Sequence, residues 1–508
     1  MLSYAGLIGY IIGLYIVARV VSSRLRARRL KRKAEQWGCS SAPSPYPNGI
    51  KGYALLRESI AANRADRGPQ FIVERMDRIS KDCHTVHLPI LDYEIYVTRD
   101  PENIKALFTS QDFDISGTRQ LSWLPLLGKG IFTSRGQIWK HSRAMLRPLF
   151  AKEQISNVDV DEEHLQILLK QFPVDGKTGW TDKVDLGPLF FKFTLDVITD
   201  FVYGHSTHSL MADSPHQNIC RSFDAAKMWI DRRGALAKFY WLLNTKDFRV
   251  HCKILHEFVD KIVTDTLDNK STKSNDPEKQ GRFTLLHELT KECQDPVFLR
   301  NQTLQILVAG RDTSGSLLGW CIFWLARNPE VYQKLRKIIL DIFDDRMPDF
   351  QTLNTCTYLQ YFLSEVLRIS AVIPLDERVA MCDTTLPTGG GPQGKDPVFL
   401  PKGTQVLMPI YAVMHRQDLW ETDPDRFDPE RWGRERPGWQ FTPFAAGPRK
   451  CLGQQFAKAL AAYVLARFCQ LFDKIENMEE GDGELKLHHA IENRSGMGVQ
   501  VRLHSAKF

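Results

Sequence analysis

The chain of 508 residues is long enough for one large enzyme domain or for two or three ordinary domains. Its 43% hydrophobic, 25% charged and 10% aromatic residues exclude a disordered or low-complexity protein. The net charge of +7 does not indicate nucleic-acid binding, because eight positive charges with no acid among them fall between Arg19 and Lys33. The ten cysteines are scattered and include no CxxC, which argues against a zinc ribbon or a disulfide framework.

The N-terminal segment predicts a membrane anchor. Residues 1–21 contain about 20 largely apolar positions, the length of a helix that crosses a bilayer, and the basic run follows on the side expected to stay in the cytosol. A cleavable signal peptide would carry its positive charges before the apolar stretch and end in small residues. We therefore predict a retained single transmembrane helix at 1–21, with a buried core helix as the less favoured alternative.

The rest of the chain divides into a short connecting segment and one domain. Residues 22–50 are predicted to form a basic flank and a stiff proline-rich hinge. Over 51–508 most segments, such as 189–203, have apolar residues at the three- and four-residue spacing of helices, while β pattern is limited to short pieces such as 84–98 and 404–414. We predict one domain that is mainly α with small β-sheets.

A helix of about 30 residues is predicted to begin at Asp295 and to end before Pro329. In its middle, the segment AGRDTSG (309–315) interrupts an otherwise apolar pattern, although a glycine there costs about 1 kcal/mol relative to alanine. The structural interpretation is a kink or close helix packing. The functional interpretation is a locally opened helix in which Asp312 and Thr313 handle protons and water beside a reacting centre.

Two further segments carry charged residues at suggestive positions. Glu365 and Arg368 lie one turn apart on one helical face, and Arg431 farther along is a candidate second cation for the same carboxylate. By itself, the Glu365 and Arg368 pair is an ordinary surface ion pair of small energetic value.

Residues 441–460 present Cys451 in an unusual setting, just before a predicted helix whose N-terminus favours a thiolate. The residues around Cys451 suit a flat group with an anionic edge, with two glycines for close backbone approach, an aromatic ring and a cation: Gly447, Gly453, Phe444 and Arg449. A lone cysteine is more often buried filler, and a nucleophilic cysteine needs a histidine partner. A thiolate that binds haem iron needs no such base.

Together these segments identify a family. The motif F-x-x-G-x-R-x-C-x-G around Cys451 resembles the haem-binding signature of the cytochrome P450 monooxygenases. AGRDTS is similar to that family's oxygen-activation segment, Glu365-x-x-Arg368 to its K-helix pair, and PERW at 429–432 to the partner of that pair. The segments follow the family's order and spacing, and the resemblance covers essentially everything after the hinge.

The resemblance implies a cytochrome P450 fold that binds haem b, with Cys451 as the axial iron ligand. Trp139 and Arg143 match a C-helix contact to a haem propionate, and Arg378 and Arg449 match the other propionate ligands. The remaining implied roles concern protons and structure. Thr313 would hold dioxygen and a water, Asp312 would help to relay protons, and three residues would lock the fold behind the haem: Glu365, Arg368 and Arg431.

The chain has no GxGxxG in a strand-turn-helix context, so we expect it to bind neither NADPH nor flavin itself. Electrons would come from a separate NADPH-cytochrome P450 reductase, with cytochrome b5 as a second candidate donor. The predicted docking surface is a basic face that includes Lys140, Arg147 and Lys450, and solvated surface charge is the alternative interpretation of these three. The anchor and hinge resemble those of microsomal members, which implies the endoplasmic reticulum membrane and a cytosolic catalytic domain.

Within the family, AGRDTS and the segments 237–249 and 383–391 resemble the fungal branch that includes the alkane and fatty-acid terminal hydroxylases of yeasts. The sequence departs from that branch at Ser370 and Ala371 and again at 375–377. We therefore expect a monooxygenase that tailors a lipophilic fungal secondary metabolite, with terminal hydroxylation of fatty acids or alkanes as the alternative. A reductase-independent haem-thiolate isomerase and a non-enzymatic haem- or sterol-binding membrane protein are less favoured, since neither explains the acid and threonine pair.

Overall fold

The structure is a computed structural model that describes residues 4–45, 52–90, 93–156, 158–214, 216–269, 284–481 and 484–507. Most of these residues are helical. The α-helices in chain order are α1 Tyr4–Gln36, α2 Gly52–Arg64, α3 Gly68–Ile79, α4 Pro101–Thr109, α5 Gly117–Leu127, α6 Gly136–Leu146, α7 Lys152–Ile155, α8 Asp159–Leu169, α9 Leu186–Tyr203, α10 Gln217–Ala235, α11 Lys246–Asn269, α12 Leu285–Glu292, α13 Pro296–Arg327, α14 Pro329–Phe343, α15 Phe350–Thr355, α16 Thr357–Ser370, α17 Ile410–Met414, α18 Arg431–Arg434 and α19 Gln454–Leu471.

The strands are short and form small sheets, which confirms the predicted mainly α fold with small β-sheets. They are β1 Thr85–Ile90, β2 Tyr93–Thr98, β3 Phe113–Asp114, β4 Val184–Asp185, β5 Asp376–Ala380, β6 Thr384–Gly390, β7 Asp396–Leu400, β8 Gln405–Met408, β9 Phe472–Asn477, β10 Leu487–His489, β11 Asn493–Ser495 and β12 Gln500–Ser505. The strand orders are β1-β2-β8-β5-β3, β4-β12-β9, β10-β11 and β6-β7.

The chain folds as two compact units. The smaller unit comprises residues 1–56, 73–114 and 377–408, and the larger unit comprises 57–72, 115–376 and 409–508.

The smaller unit is built on the five-stranded sheet. The antiparallel hairpin of β1 and β2 pairs Thr85 with Thr98, and β2 continues in parallel with β8, where Ile95 lies opposite Gln405. The β pattern predicted at 84–98 is thus confirmed for the described residues. The pattern predicted at 404–414 was wrong in its second half, because Pro409 cannot donate to a strand ladder and instead precedes helix α17.

Helix α1 runs without interruption through the predicted anchor and into the basic flank. Its C-terminal end contacts the β6-β7 hairpin: Lys33 Nζ donates to Asp383 Oδ2 at 2.5 Å, and the Trp37 ring meets the Phe399 ring edge-on at 5.3 Å. No helix within the described ranges combines the length and apolar character that a membrane span requires. The transmembrane anchor at 1–21 therefore stays a prediction, and residues 1–3 of the predicted anchor and 46–50 of the predicted hinge lie outside the described residues.

Helix α13 is the central element of the larger unit and confirms the long helix expected from the sequence. The side chain of its N-cap, Asp295, accepts a hydrogen bond from the Val297 N–H at 3.0 Å, and 32 residues span about 48 Å at 1.5 Å per residue. Most of its side chains between Leu299 and Ala326 are buried, because helices and sheets surround it on several sides.

The AGRDTSG segment of α13 is regular helix, and its glycines are explained by close packing against α9. A Cβ atom on Gly310 would lie 2.6 Å from Ile198 Cδ1, and one on Gly315 would lie 3.3 Å from the Phe191 Cα. Thr194 strengthens the contact by donating its hydroxyl to the Arg311 carbonyl at 2.8 Å. The structural interpretation therefore accounts for both glycines, and the helix has no local opening here.

Candidate active site

Cys451 lies in a tight loop immediately before α19. Its N–H donates to the Phe444 carbonyl at 3.0 Å, which closes the loop over the intervening residues. Gly447 has a φ of +65°, a left-handed conformation that glycine adopts without strain. Gly453 has an ordinary φ of −82°, and a Cβ there would meet Phe150 only at 3.9 Å, so packing within the described protein does not require a glycine at this position.

The environment of the Cys451 sulfur combines access with burial. All ten cysteines are free, and only Cys382 and Cys451 are exposed. Burial nevertheless raises the pKa of the Cys451 thiol and outweighs the lowering by the N–H groups of Gly453 and Gln454 and by the charge of Arg143. The expected effect of the helix N-terminus is therefore present but smaller than desolvation.

Two guanidinium groups converge on one indole ring beside this loop. The Arg449 guanidinium lies 4.3 Å from the Trp139 ring centroid and the Arg143 guanidinium 5.8 Å from it. Arg449 also donates to the Ser134 carbonyl at 3.0 Å, and Arg143 donates to the Lys450 carbonyl at 2.9 Å. The structure thus brings together four of the predicted cofactor ligands, since Lys450 directly precedes Cys451.

This donor set fits an iron porphyrin. A porphyrin with propionate groups needs an iron ligand, cations for its carboxylates and flat apolar contacts, and the accessible Cys451 sulfur, the two guanidinium groups and the Trp139 indole provide one of each kind. The buried hydroxyl of Ser134 adds an unpartnered polar group within the part of the chain that the structure describes. Phe444 is partly accessible, so its side chain is open to further contact.

Arg378 lies in the smaller unit, on β5. Its side chain is 4% exposed, donates to the Glu377 carbonyl at 2.6 Å and stacks its guanidinium 5.0 Å from the Phe108 ring centroid. These contacts describe Arg378 within its own unit, and its predicted role as a propionate ligand stays a prediction.

Thr313 and Asp312 have different surroundings although they are adjacent in α13. Thr313 is partly accessible, as is Ala309 one turn earlier, and its hydroxyl donates to the Ala309 carbonyl at 2.7 Å. Asp312 is buried, and its carboxylate oxygens lie 3.0 Å from Arg311 Nη1 and 3.3 Å from Lys227 Nζ. Because successive residues of a helix point about 100° apart, the carboxylate is paired with cations on a different side of α13 from the hydroxyl.

The predicted Glu365 and Arg368 pair is fully buried, not a surface pair. Arg368 donates from Nε to Glu365 Oε2 at 2.9 Å and from Nη2 to Oε1 at 2.8 Å, and it also donates to the Pro424 carbonyl at 2.7 Å. Arg431 Nε lies 3.5 Å from Glu365 Oε1, which confirms the geometry proposed for a second cation. The Trp432 indole N–H donates to the same carboxylate at 3.1 Å, a contact that the sequence analysis missed although Trp432 is part of PERW.

The sequence analysis also missed the partners of Asp312. Lys227 comes from α10, and its second acidic partner, Glu492, comes from the turn between β10 and β11 at a distance of 2.5 Å. The two residues are 265 positions apart, so no local motif signals their contact.

Comparison with known proteins gives a consistent result. Residues 65–491 match the family described as Cytochrome P450. The chain is 37% identical to cytochrome P450 monooxygenase g430 of a Fusarium species, an alignment that covers 98% of this chain and 90% of the relative. It is 37% identical to cytochrome P450 52A13 of Debaryomyces hansenii, with 92% and 91% covered, and 36% identical to cytochrome P450 monooxygenase alt2 of Alternaria solani, with 88% of each covered.

Proposed function

The chain belongs to the cytochrome P450 family of monooxygenases, and we propose that it inserts one oxygen atom from O2 into a lipophilic small molecule, with Cys451 as the axial ligand of a haem b iron. The observation that carries this proposal is the accessible Cys451 sulfur beside the Trp139, Arg143 and Arg449 group. When bound, the haem supplies oxygen activation at the iron, to which a thiolate ligand donates electron density.

The side chains around Cys451 bind and orient the cofactor in this proposal. Arg143, Arg449 and Arg378 pair with the propionates, as the family motif implies, while Trp139 and Phe444 contact the ring system. The left-handed turn at Gly447 and the absence of a side chain at Gly453 allow the loop to approach a planar group closely.

Thr313 and Asp312 handle protons in this proposal. Because the Thr313 hydroxyl proton is directed to the Ala309 carbonyl, its oxygen remains an acceptor that can hold a water on the accessible side of α13. Asp312 supplies protons from the neighbouring, charged side of α13, about 100° around the helix from Thr313. Glu365, Arg368 and Arg431 take no part in the chemistry and fix the loop that contains residues 422–431 against α16.

Electrons come from a separate NADPH-cytochrome P450 reductase, with cytochrome b5 as a second donor, and the chain itself binds neither flavin nor NADPH. Lys140, Arg147 and Lys450 are exposed near the Cys451 loop, and none of them forms an ion pair among the described residues, which leaves them available to an acidic partner.

The proposed function also includes a membrane location. Residues 1–21 anchor the protein in the endoplasmic reticulum membrane, residues 22–50 connect this anchor to the catalytic domain, and residues 51–508 form that domain on the cytosolic side.

For the substrate class, we favour a tailoring step in fungal secondary metabolism. The sequence departs from the alkane and fatty-acid hydroxylase branch after α16, but part of that departure has a packing explanation. The Ser370 hydroxyl accepts a hydrogen bond from the Trp324 indole at 2.9 Å, and Ala371 is buried with a φ of +42°, which a proline cannot adopt. The argument against a plain alkyl chain therefore rests on 375–377, where Leu375 is partly accessible.

Terminal hydroxylation of fatty acids or alkanes is the second candidate. It is favoured by the resemblance of AGRDTS and of segments 237–249 and 383–391 to the corresponding fungal branch, and by the extent of the match to yeast relatives.

An optical titration of the full-length haem protein distinguishes the two candidates. Fatty acids of several chain lengths are added while the Soret band is followed for the low-spin to high-spin shift. No shift with any chain length supports the tailoring role, and saturable shifts that depend on chain length overturn it in favour of the second candidate. Cys451→Ala tests the common premise: the thiolate-type spectrum of the reduced carbon monoxide complex must disappear, and its survival would refute the ligand assignment.

A further inference from the structure

The α5-α6 loop, residues 128–135, supplies two carbonyl groups to the candidate cofactor site. Arg449 donates from Nη2 to the Ser134 carbonyl at 3.0 Å and from Nη1 to the Ile131 carbonyl at 3.5 Å. A guanidinium group keeps one orientation only where its N–H groups have fixed acceptors, because the side chain that carries it has several rotatable bonds. The position of these two carbonyls therefore helps to decide where the Arg449 cation lies.

Gln305 of α13 contacts the same loop. Its amide oxygen accepts a hydrogen bond from the Phe132 N–H at 2.7 Å, and its amide nitrogen donates to the Leu127 carbonyl at the end of α5 at 3.0 Å. The same nitrogen lies 3.3 Å from the Thr133 hydroxyl oxygen. Because a backbone N–H can only donate, the contact with Phe132 fixes which way the amide faces. The Gln305 side chain is fully buried, and both polar atoms of its amide have partners.

One peptide group joins these two sets of contacts. The Ile131 carbonyl and the Phe132 N–H belong to the same peptide bond, which is planar and trans and directs its two polar groups to opposite sides. Gln305 therefore contacts one edge of this peptide, and Arg449 contacts the opposite edge. Because the peptide is rigid, a hydrogen bond that fixes its N–H also fixes the direction of its carbonyl.

The loop lies so close to α13 that side chains are excluded at two of its positions. A Cβ atom on Gly130 would lie 2.3 Å from Gln305 Nε2. Gly128 has a φ of +60°, and a Cβ atom on it would lie 2.2 Å from Asn301 Cγ. The Thr133 hydroxyl donates to the Gly128 carbonyl at 2.6 Å and accepts from the Gly130 N–H at 3.1 Å, which closes the loop on itself. These contacts leave the α5-α6 loop little freedom relative to α13.

We propose that Gln305 is a positioning residue for Arg449. Acting through the peptide bond between Ile131 and Phe132, it holds the guanidinium in the direction that pairs with a carboxylate of the cofactor. This inference rests on the proposed function, in which Arg449 binds a haem propionate. A cation held at this place helps to retain the cofactor, and its positive charge stabilises the reduced form of the iron. Loss of the Gln305 amide is therefore expected to weaken haem retention and to lower the reduction potential.

The first test compares Gln305→Met with the wild type, both as full-length haem proteins. Methionine has a similar length but no amide, so the Phe132 N–H loses its acceptor. We expect haem transfer to excess apomyoglobin to become about threefold to tenfold faster, the factor that one hydrogen bond of ordinary strength contributes. We also expect a more negative reduction potential by spectroelectrochemistry. The thiolate-type spectrum of the reduced carbon monoxide complex should remain, because Cys451 is unchanged.

Gln302→Met is the matched control. Gln302 is fully buried in the same helix, and its amide donates to the Ser142 hydroxyl at 3.0 Å and not to the α5-α6 loop. We expect this variant to leave haem transfer and the reduction potential as in the wild type. Gln305→Glu keeps an acceptor for the Phe132 N–H and, in its acid form, one donor for the Leu127 carbonyl. It is expected to restore both measurements.

A double-mutant cycle with Arg449→Lys tests whether Gln305 acts through Arg449. Lysine keeps the charge but not the planar fork of N–H donors, so Arg449→Lys is expected to speed haem transfer by itself. Gln305→Met is expected to add little to that change, because the two residues act as one unit. If Gln305→Met gives too little haem protein, Gln305→Asn replaces it in the cycle, since its amide is one methylene too short to reach the Phe132 N–H. Additive effects overturn the inference, as does an equal effect of Gln302→Met.

Arg449→Lys also separates this inference from the proposed function. If Arg449→Lys leaves haem transfer and the reduction potential unchanged, the propionate role of Arg449 in the proposed function fails. If Arg449→Lys changes both while Gln305→Met or Gln305→Asn behaves as wild type, the inference fails and the proposed function stands.

Discussion

The larger unit contains two buried charged clusters that differ in their access to solvent and in the kind of cation at their centre. In the first, Glu365 and Glu435 face Arg368 and Arg431, so two carboxylates meet two cations. The second buries Lys227 and Arg311 with Asp312 and Glu492, but it reaches solvent at Asp224, whose side chain is 62% exposed, and one carboxylate oxygen of Glu492 lacks a partner among the described residues.

The cations also differ between the two clusters. Both cations of the first cluster are arginines, whose guanidinium groups never release a proton and bind carboxylates and main-chain carbonyls in fixed forks. The central cation of the second cluster is Lys227; burial alone would lower the pKa of its ammonium group, but the charges of Asp312 and Glu492 outweigh burial and raise that pKa. The comparison shows that the arginine cluster is closed to solvent on all sides, whereas the lysine cluster is open to solvent at Asp224.

The largest effect is expected from breaking the buried cluster of Glu365 and Arg368. Removing one partner of a buried ion pair typically costs 3–5 kcal/mol, about the size that abolishes a marginal fold, because the remaining charge stays buried. We expect Arg368→Met and Glu365→Gln to yield little or no haem protein. The measurement is the amount of reduced carbon monoxide complex per milligram of purified chain. Wild-type haem content in both variants would show that the cluster does not lock the fold.

The next effect concerns Thr313, which is adjacent to Asp312 in α13 but does not belong to the charged cluster. Thr313→Ala removes a hydroxyl on the accessible side of α13 but no charge, so we expect normal haem content and about a tenfold drop in product formed per NADPH, as general acid–base groups contribute 10²–10⁴-fold. The check is a parallel assay of NADPH consumption, hydrogen peroxide and product. Coupling equal to wild type would remove Thr313 from the proposed mechanism.

A smaller effect concerns the pH dependence of stability through Asp231 on α10, which interacts electrostatically with Lys227 and Asp312. The pKa of Asp231 is raised from 3.8 to about 8 in the folded protein, so the folded state binds more protons than the unfolded state between these values, and stability falls as pH rises through that window. From pH 6 to pH 8 the loss is at most about 2.7 kcal/mol, since each unit of pKa shift is worth about 1.36 kcal/mol.

Asp231→Asn removes this titration, so its unfolding temperature is expected to rise relative to wild type by a few degrees as pH increases from 6 to 9. Differential scanning calorimetry of both proteins at four pH values measures it. Parallel curves for the two proteins would mean that Asp231 carries no proton at neutral pH.

The smallest effect is expected just outside the buried cluster of Glu365 and Arg368. Arg434 pairs with Asp428 at 2.5 Å, but the Arg434 side chain is 49% exposed, and such surface pairs contribute about 0–1 kcal/mol. Arg434→Gln should therefore leave haem content unchanged and shift the urea midpoint only slightly, although its pair lies beside Arg431 in sequence. A loss as large as that of Arg368→Met would show that burial is not what distinguishes the first cluster.

The sequence predicted contiguous features of the site well. Cys451, Gly447 and Arg449 lie within five residues, so one short loop fixes their relation, and the caps of α13 mark its start and end locally. The motif around Trp139 and Arg143 was predictable for the same reason, since four residues of helix place both on one face.

Burial and partners across the chain could not be predicted in this way. The spacing of Glu365 and Arg368 is the same in an exposed and a buried pair, and only packing against residues 422–432 decides between them. The direction of the Asp312 carboxylate depends on Lys227 and Glu492, which no local pattern connects to it. The glycines of α13 were ambiguous because the same residue serves a helix break and a close contact.

The end of helix α1 has a practical consequence. Lys33 contacts Asp383, Trp37 contacts Phe399, and the Ser40 hydroxyl donates to Asp396 at 2.7 Å. This end of α1 and the residues that follow it are therefore fixed to the β6-β7 hairpin of the smaller unit. A truncated protein that begins shortly before Lys33 keeps these contacts with the β6-β7 hairpin. One that begins after Ser40 uncovers the ring of Phe399, which is only 6% exposed, and so creates a new exposed apolar surface that favours aggregation.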